Sequence, residues 1–424
     1  MSGKDDITSL ISDEELRVTL RTLSVIGEHL DMLRDKRMKP LRSALHPIVE
    51  ERIRQTAGNK VPHAAGGGSL SGKISEALKD QRWEDAIELL QAMRAPREIP
   101  KLGAVQRWVR DCDLGATAAN DPQALRVLDA ILRAAGQDWF GLAASAAANA
   151  KQEGQEGAPE LLKGSGMVRR FPAWCPVPKQ EGGSYDASKF LEVDKSSLRI
   201  IGHEMACERR PPNKHDLNIW YAPPSLLHFQ QDLPQATRFD FPSVPGAFFL
   251  SGVLTPHECW QIISVAEAMG FSPDEPLDKA IDSRADGCVW LVDEQIQRKL
   301  LDRMEHLMPP VLGDGKFAGL NARWRLYRYT TGNVYRPHVD GAWPGSGIDE
   351  EGNYVYDKTG DRWSRLTFVI YLTEDFDGGC TTFFTPARVE GCLELRGVEP
   401  RQGCVLCFPH GDTAESLVHE GEVK

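Results

Sequence analysis

RWRLYRYTTGNVYRPHVDG, residues 323–341, is the stretch from which the fold of this chain is read. Strand alternation puts Arg323, Arg325, Tyr327 and Tyr329 on one face of its first half, and a Thr-Thr-Gly-Asn turn leads into a second strand. That strand ends in His338 and Asp340, two residues apart and therefore on one face. A third candidate, His419, lies on another short strand-like run near the end of the sequence. Two imidazoles and one carboxylate are the set that holds non-haem Fe(II) while leaving coordination positions open. The H-x-D spacing is common by itself. Its weight comes from the tyrosine-bearing strand before it, Gly341 after it, and a histidine about 80 residues later.

The neighbouring segments carry the same texture. RLTFVIYLT (365–373), CTTFFTP (380–386), GCLELRGVEP (391–400) and GCVLCFPHG (403–411) are short β-rich runs punctuated by Gly and Pro, the pattern of a sandwich or barrel. In the first of them Leu366, Phe368, Ile370 and Leu372 form an apolar face expected to pack on helices or a second sheet. Arg365, Thr367, Val369 and Tyr371 form a mixed face suited to a ligand-holding interior. Upstream, VPGAFFLSGVLTPHEC (244–259) reads as a strand followed by a helix starting at Thr255-Pro256, with Thr at the cap and Pro in the first turn. Trp343 and the polar loop 344–362 follow the H-x-D pair, where a barrel mouth carries specificity. The loop reads equally as an insertion without structure. Cys404 and Cys407 form a C-x-x-C whose spacing on a strand points the two thiols to opposite faces, which argues against a zinc or redox pair.

The first part of the chain is helical in pattern. Residues 1–62 contain EELRVTLRTLSVIGEHLDMLRDKR, with Asp13 in a capping position and leucines at three- and four-residue spacing. The basic stretch of Arg34, Lys36, Arg37, Lys39 and Arg42 reads as a solvated face. Residues 63–73 form a Gly/Ser linker, and 74–150 form a second helical region that ends in an Ala-rich run. It begins as a loose helical hairpin of pentatricopeptide type, read as a surface for a protein partner. Residues 151–240 have weak periodicity and many breakers, and read as irregular linker or decoration. His203, Cys207 and His215 lie there without the paired spacing of a zinc site. The division expected is thus 1–62, 63–73, 74–150, 151–240 and 241–424.

Composition narrows the function. The chain has 424 residues, 41% hydrophobic and 26% charged, and a formal net charge of -11. That charge disfavours nucleic acid as the main partner. No run approaches the roughly 20 apolar residues of a membrane span, and MSGKDDITSLISDEEL lacks the apolar core of a targeting peptide. Nine scattered cysteines, an odd number, suggest free thiols in a reducing compartment, the cytoplasm or nucleus.

Taken in order, PGAFFLSGVLTPHEC, RYTTGNVYRPHVDG, LTFVIYLTEDFDGGCTTFF, VEPRQGCVLCFPHG and LVHEG resemble the iron- and 2-oxoglutarate-dependent dioxygenases of the prolyl 4-hydroxylase-like group. The resemblance covers residues 241–424, a little under half of the chain. It implies a multidomain α+β protein: a helical N-terminal region followed by a double-stranded β-helix (jelly-roll) core with flanking helices. It implies Fe(II) ligands at His338, Asp340 and His419, and a 2-oxoglutarate pocket at Tyr329, Tyr371 and Thr381, the last within a Gly378-Gly379-x-Thr381 turn. Trp343 and Arg365 are candidates for the substrate entrance. Further implied are O2, ascorbate as reductant, a peptide or protein substrate hydroxylated at proline by default, and release of succinate and CO2.

The resemblance also expects a Lys or Arg about ten residues after the distal histidine, on a strand completing the sheet, to hold the far carboxylate of 2-oxoglutarate. The sequence ends at Lys424, five residues after His419, an offset that places it on the opposite strand face. A neighbouring strand is then expected to keep an unpaired edge, and Arg325 or Arg365 would have to replace the anchor. Two readings therefore stand: an active dioxygenase, or a catalytically impaired oxygenase-like interaction protein. A nucleic-acid demethylase fits the acidic composition less well.

Overall fold

The computed structural model describes residues 12–29, 69–95, 99–118, 121–137, 160–161, 168–179, 186–209, 212–231, 235–276, 285–412 and 414–422, with 38, 40–41 and 45. Its contacts fall into two units, Met1–Gly67 and Gly68–Lys424. In the first unit, helix α1 (Asp13–Glu28) opens on a capping box. The Ser12 hydroxyl accepts from the Glu15 N–H, and the Glu15 carboxylate accepts from the Ser12 N–H at 2.8 Å. The cap is therefore Ser12 rather than Asp13. Arg34, Lys36, Arg37, Lys39 and Arg42 of the basic stretch, the Ala-rich run and Lys424 lie outside the described residues.

The second unit starts with four helices: α2 (Leu70–Lys79), α3 (Trp83–Arg94), α4 (Leu102–Gly115) and α5 (Pro122–Ala134). Ser69 caps α2, so the expected Gly/Ser linker ends inside a helix. Asp121 caps α5 with Pro122 in its first turn.

A six-stranded sheet follows, in the order β1 (Glu160–Leu161), β2 (Val168–Arg170), β17 (Leu393–Val398), β16 (Thr381–Pro386), β19 (Val418–Gly421), β12 (Tyr335–Val339). A four-stranded sheet runs β15 (Leu366–Ile370), β18 (Val405–Pro409), β6 (Phe248–Ser251), β5 (Thr237–Asp240). A third runs β11 (Arg323–Arg328), β8 (Asp286–Leu291), β4 (Leu217–Tyr221), β3 (Arg199–Glu204), with β7 (Ser272–Pro273) added to β8. Two small hairpins, β9 (Val311–Leu312) with β10 (Gly315–Lys316) and β13 (Gly347–Ile348) with β14 (Tyr354–Val355), and helices α6 (Pro256–Met269) and α7 (Glu294–Met304) complete the α+β architecture.

The helices do not form a region of their own, as the division at 150 and 240 expected. Trp108, Leu90, Met93 and Ile131 share one apolar core with Val339, Phe384, Leu393, Leu395 and Val418, so α2–α5 cover one face of the six-stranded sheet. The other face carries Phe383 and Val398, which pack with Phe249, Leu406, Phe408 and Tyr371 of the four-stranded side. The Phe383 and Phe408 rings meet edge to face at 5.1 Å. Residues 151–240 likewise do more than link, since β2, β3, β4 and β5 each extend a sheet. Their runs RIIGHE and LNIWY are β-rich but short, and breakers surround them.

Alternation along β15 follows the sequence. Leu366, Phe368, Ile370 and Leu372 pack with Trp290, Cys259 and Ile296, on the side of α6 and α7. Cys407 joins that core while Cys404 joins the opposite one, so the C-x-x-C is split across the sheet. All nine cysteines are free. Gly403 shows why this turn is tight: at φ +78° its Cβ would stand 2.1 Å from the Leu254 carbonyl oxygen. Among the described strands β11 pairs on one side only, with β8, and β15 on one side only, with β18, so the sheets do not close into a barrel.

The helical layer is fixed to the sheet by a buried ion pair. Asp129 accepts from Arg133 Nε and from the Gly391 N–H, each at 2.7 Å, and Arg133 donates to the Ala387 carbonyl. Removing one partner strands a buried charge. Asp129→Ala is expected to lower unfolding free energy by about 3–5 kcal/mol in urea titration. Replacing both residues, Asp129→Leu with Arg133→Met, should recover most of that loss.

Candidate metal centre

The site begins with strand register. β12 and β19 are antiparallel with His338 opposite His419, and β19 also pairs with β16, setting Phe383 beside His419. The imidazole centroids of the two histidines lie 4.2 Å apart. Phe408, at 4.6 Å, and Phe383 wall His419 on its other side. Asp340 completes the cluster. His338 Nε2 is 3.5 Å from Asp340 Oδ1, and His419 Nε2 is 3.7 Å from Asp340 Oδ2. All three donor atoms fall within 4.8 Å of one another.

Backbone carbonyls set the tautomers. His338 Nδ1 is 2.9 Å from the Arg336 carbonyl oxygen and His419 Nδ1 is 3.1 Å from that of Leu417. A carbonyl only accepts, so each Nδ1 carries a proton, and each Nε2 is the atom presented toward Asp340, with a lone pair to offer when the ring is neutral. This is the form a metal requires. Burial, then the neighbouring His338, push the His419 pKa down to about 4, which keeps its ring neutral. Burial works against the Asp340 charge, but at the low pH where the facing imidazoles are protonated their charge, that of His419 foremost, outweighs it and lowers the Asp340 pKa. Two neutral nitrogens and one carboxylate fit a hard-to-borderline divalent cation such as Fe(II).

What holds the carboxylate has no local signature in the sequence. Trp343 N–H donates to Ser364 Oγ at 2.9 Å, and Ser364 Oγ lies 2.7 Å from His410 Nε2. His410 Nδ1 lies 2.7 Å from Thr367 Oγ1, which donates to Asp340 Oδ2 at 2.6 Å. One proton arrangement satisfies every member: Trp343 to Ser364, Ser364 to His410, His410 to Thr367, Thr367 to Asp340. It needs a neutral His410, and burial lowers the His410 pKa accordingly. Thr367 was legible as an inward-facing residue; His410 had no signal beyond its place in the F-P-H-G run.

Tyr335 was also missed, because a bulge moves it. Between Tyr335 and His338 the register with β19 slips by one residue. Tyr335 therefore joins His338, with ring centroids 4.4 Å apart, while Arg336 turns to Asp113 of α4. Pro337, which has no N–H to contribute to a ladder, falls within the slip.

The remaining candidates divide. Tyr329 lies over the end of β19, its hydroxyl 3.6 Å from the position a Cβ on Gly421 would take. The Tyr371 and Thr381 hydroxyls are 2.8 Å apart in the core, where they bond each other. Gly378 and Gly379 both take positive φ in the turn before β16. Trp343 packs its ring against Arg323, at 4.4 Å from the guanidinium carbon, and against Tyr356, and the loop beyond it is the ordered β13–β14 hairpin. Arg365 reaches Gly411 and Asp314. His203 is held by Asn218 and Asp216.

Comparison of the chain with family models, with curated proteins and with solved structures gives no match. Among the described residues no helix is long and apolar enough to cross a membrane.

Thr367→Val is expected to weaken divalent-metal affinity about 10- to 100-fold in equilibrium dialysis, with Thr367→Ser restoring it. The metal-free protein should also lose stability between pH 6.5 and 4. His419 has a folded pKa below its unfolded value, so its contribution is present above the unfolded pKa and is lost as pH falls toward the folded one. A His419→Asn variant, followed by denaturant titration across that range, should show a shallower decline.

Proposed function

We propose that the chain is an Fe(II)- and 2-oxoglutarate-dependent dioxygenase that hydroxylates a peptide or protein side chain, proline by resemblance, with release of succinate and CO2. One observation carries the reading: two carbonyl-oriented imidazoles and one carboxylate bring their donor atoms within 4.8 Å of one another. Such a set occupies only part of a metal's coordination sphere and leaves positions for a co-substrate and O2. When bound, Fe(II) with 2-oxoglutarate would supply the oxidising power for an unactivated C–H bond.

The chain's own residues hold and orient. His338 and His419 present Nε2, Asp340 presents its charge, and the Thr367–His410–Ser364 chain fixes the carboxylate's rotation. Trp343 and Tyr356, in edge contact at 5.4 Å, form an aromatic rim suited to a peptide, and Trp363 stands 52% exposed nearby in sequence. We read the sheet β15–β18–β6–β5, facing β17–β16–β19–β12, as the two halves of a double-stranded β-helix, with α2–α5 behind as a platform for protein contact. Ascorbate would serve as reductant, and the unpaired cysteines fit a reducing compartment, cytoplasmic or nuclear.

The test is anaerobic loading with Fe(II), then addition of O2 and 2-oxoglutarate with succinate measured. Iron-dependent succinate release, lost in His338→Ala and His419→Ala, is expected. Iron retained without succinate release would sink the enzymatic reading and leave the oxygenase-like interaction protein.

A further inference from the structure

β3 ends the sheet β11–β8–β4–β3, and among the described residues its outer edge pairs with no strand. Six residues is long for an open edge. Ile200 stands there 53% exposed, with Met205 beyond the strand at 48%. The free N–H and C=O groups of such an edge take up another strand unless something blunts it. Here a bulge does part of that work. The register with β4 slips between Ile200 and Gly202, and Ile201 is the extra residue. A regular strand cannot pair along the whole of a bulged edge. A strand with the same irregularity can.

The bulge also sorts the side chains. Arg199 lies opposite Tyr221, Gly202 opposite Ile219 and Glu204 opposite Leu217, so these three face the core of Ile219, Val289 and Leu291. Ile200 and His203, opposite Trp220 and Asn218, take the other face. Without the slip, Arg199 and Glu204 would point to opposite sides, being five residues apart.

Turned antiparallel against itself, RIIGHE is complementary. With Ile201 and Gly202 on a two-fold axis, Arg199 falls opposite Glu204 of the other copy, on one face and twice over. Arg199 is exposed and has no carboxylate within ion-pair distance among the described residues; its described contact is the Tyr221 ring, at 5.0 Å. Glu204 accepts from Arg323 through Oε1 at 2.9 Å, and a carboxylate has a second oxygen to offer.

We propose that β3 pairs antiparallel with β3 of a second copy of this chain, joining two sheets into one across Ile201 and Gly202. Backbone bonds along the edge supply the contact, and the two Arg199–Glu204 pairs fix its register. The seam reaches the entrance of the candidate site through Glu204, since Arg323 also stacks on Trp343, at 4.4 Å. The second copy thus adds a cation to the ion pair that backs the entrance aromatic. The pairing itself does not depend on the metal reading.

Sedimentation velocity of the full chain across the micromolar range tests the proposal. A dimer that dissociates on dilution is expected, and a monomer throughout overturns it. Arg199→Glu sets carboxylate against carboxylate at both symmetric positions and should weaken association about 10- to 100-fold. Ile200→Lys, which charges the open edge, should weaken it too. A dimer indifferent to both variants is made by another surface and overturns the proposal. Register is read by mixing Arg199→Glu with Glu204→Lys. Each alone opposes like charges, whereas the mixed dimer has an opposite pair at both positions, so mixing should restore association. No restoration overturns the proposal. Should Glu204→Lys fail to fold, Arg199→Lys replaces it: association within a few-fold of wild type is expected, and a loss as large as that of Arg199→Glu overturns the charge pairing.

Discussion

The antiparallel register that sets His338 opposite His419 is the constraint on which the site depends. β19 is held on both sides, by β12 and by β16, so neither imidazole can shift without moving a ladder. Behind β12, helix α4 fixes the strand through Arg336–Asp113 and through Gln106, which donates to the Val339 carbonyl at 3.2 Å. The helices thus do chemical service at a distance. They brace the back of the strand whose front carries His338 and which leads into Asp340.

The polar chain behind Asp340 works by direction rather than by number. Each member donates toward the carboxylate and accepts from the member behind, and the chain starts at a backbone N–H that cannot reverse. Such an arrangement leaves one lone-pair geometry for Asp340 and resists rotation of the carboxylate. It also couples two sheets, since Thr367 sits on β15 and His410 just beyond β18, while Asp340 follows β12.

Much of this was legible in local sequence. The alternation of Leu366, Phe368 and Ile370 against Thr367 and Val369 predicted both faces of β15, and H-x-D placed two ligands on one side. The failures share a cause. His419 could be proposed as a partner, but the register that brings it to His338 is a long-range pairing with no local code. Tyr335 was hidden by a one-residue slip that reverses facing, and a period-two reading cannot anticipate a bulge. Tyr371 and Thr381, ten residues apart, bond each other across the core, a contact decided by packing. The helical layer looked separable because its amphipathic faces reveal that they pack, not what they pack against.

The burial of thiols has a chemical consequence. Cys112, Cys259, Cys288, Cys380, Cys404 and Cys407 are all buried, and burial raises each pKa, that of Cys404 to about 12. Because the thiolate is the reactive species, these sulfurs are slow toward peroxide and alkylating agents while the core is closed. Cys404, just before β18, and Cys407, on it, sit in opposite cores, so they report the opening of two different cores. Unfolding would expose all six at once at ordinary reactivity. Thermal inactivation in air should then pass from reversible to irreversible through cross-linking, not through loss of the fold's intrinsic ability to re-form.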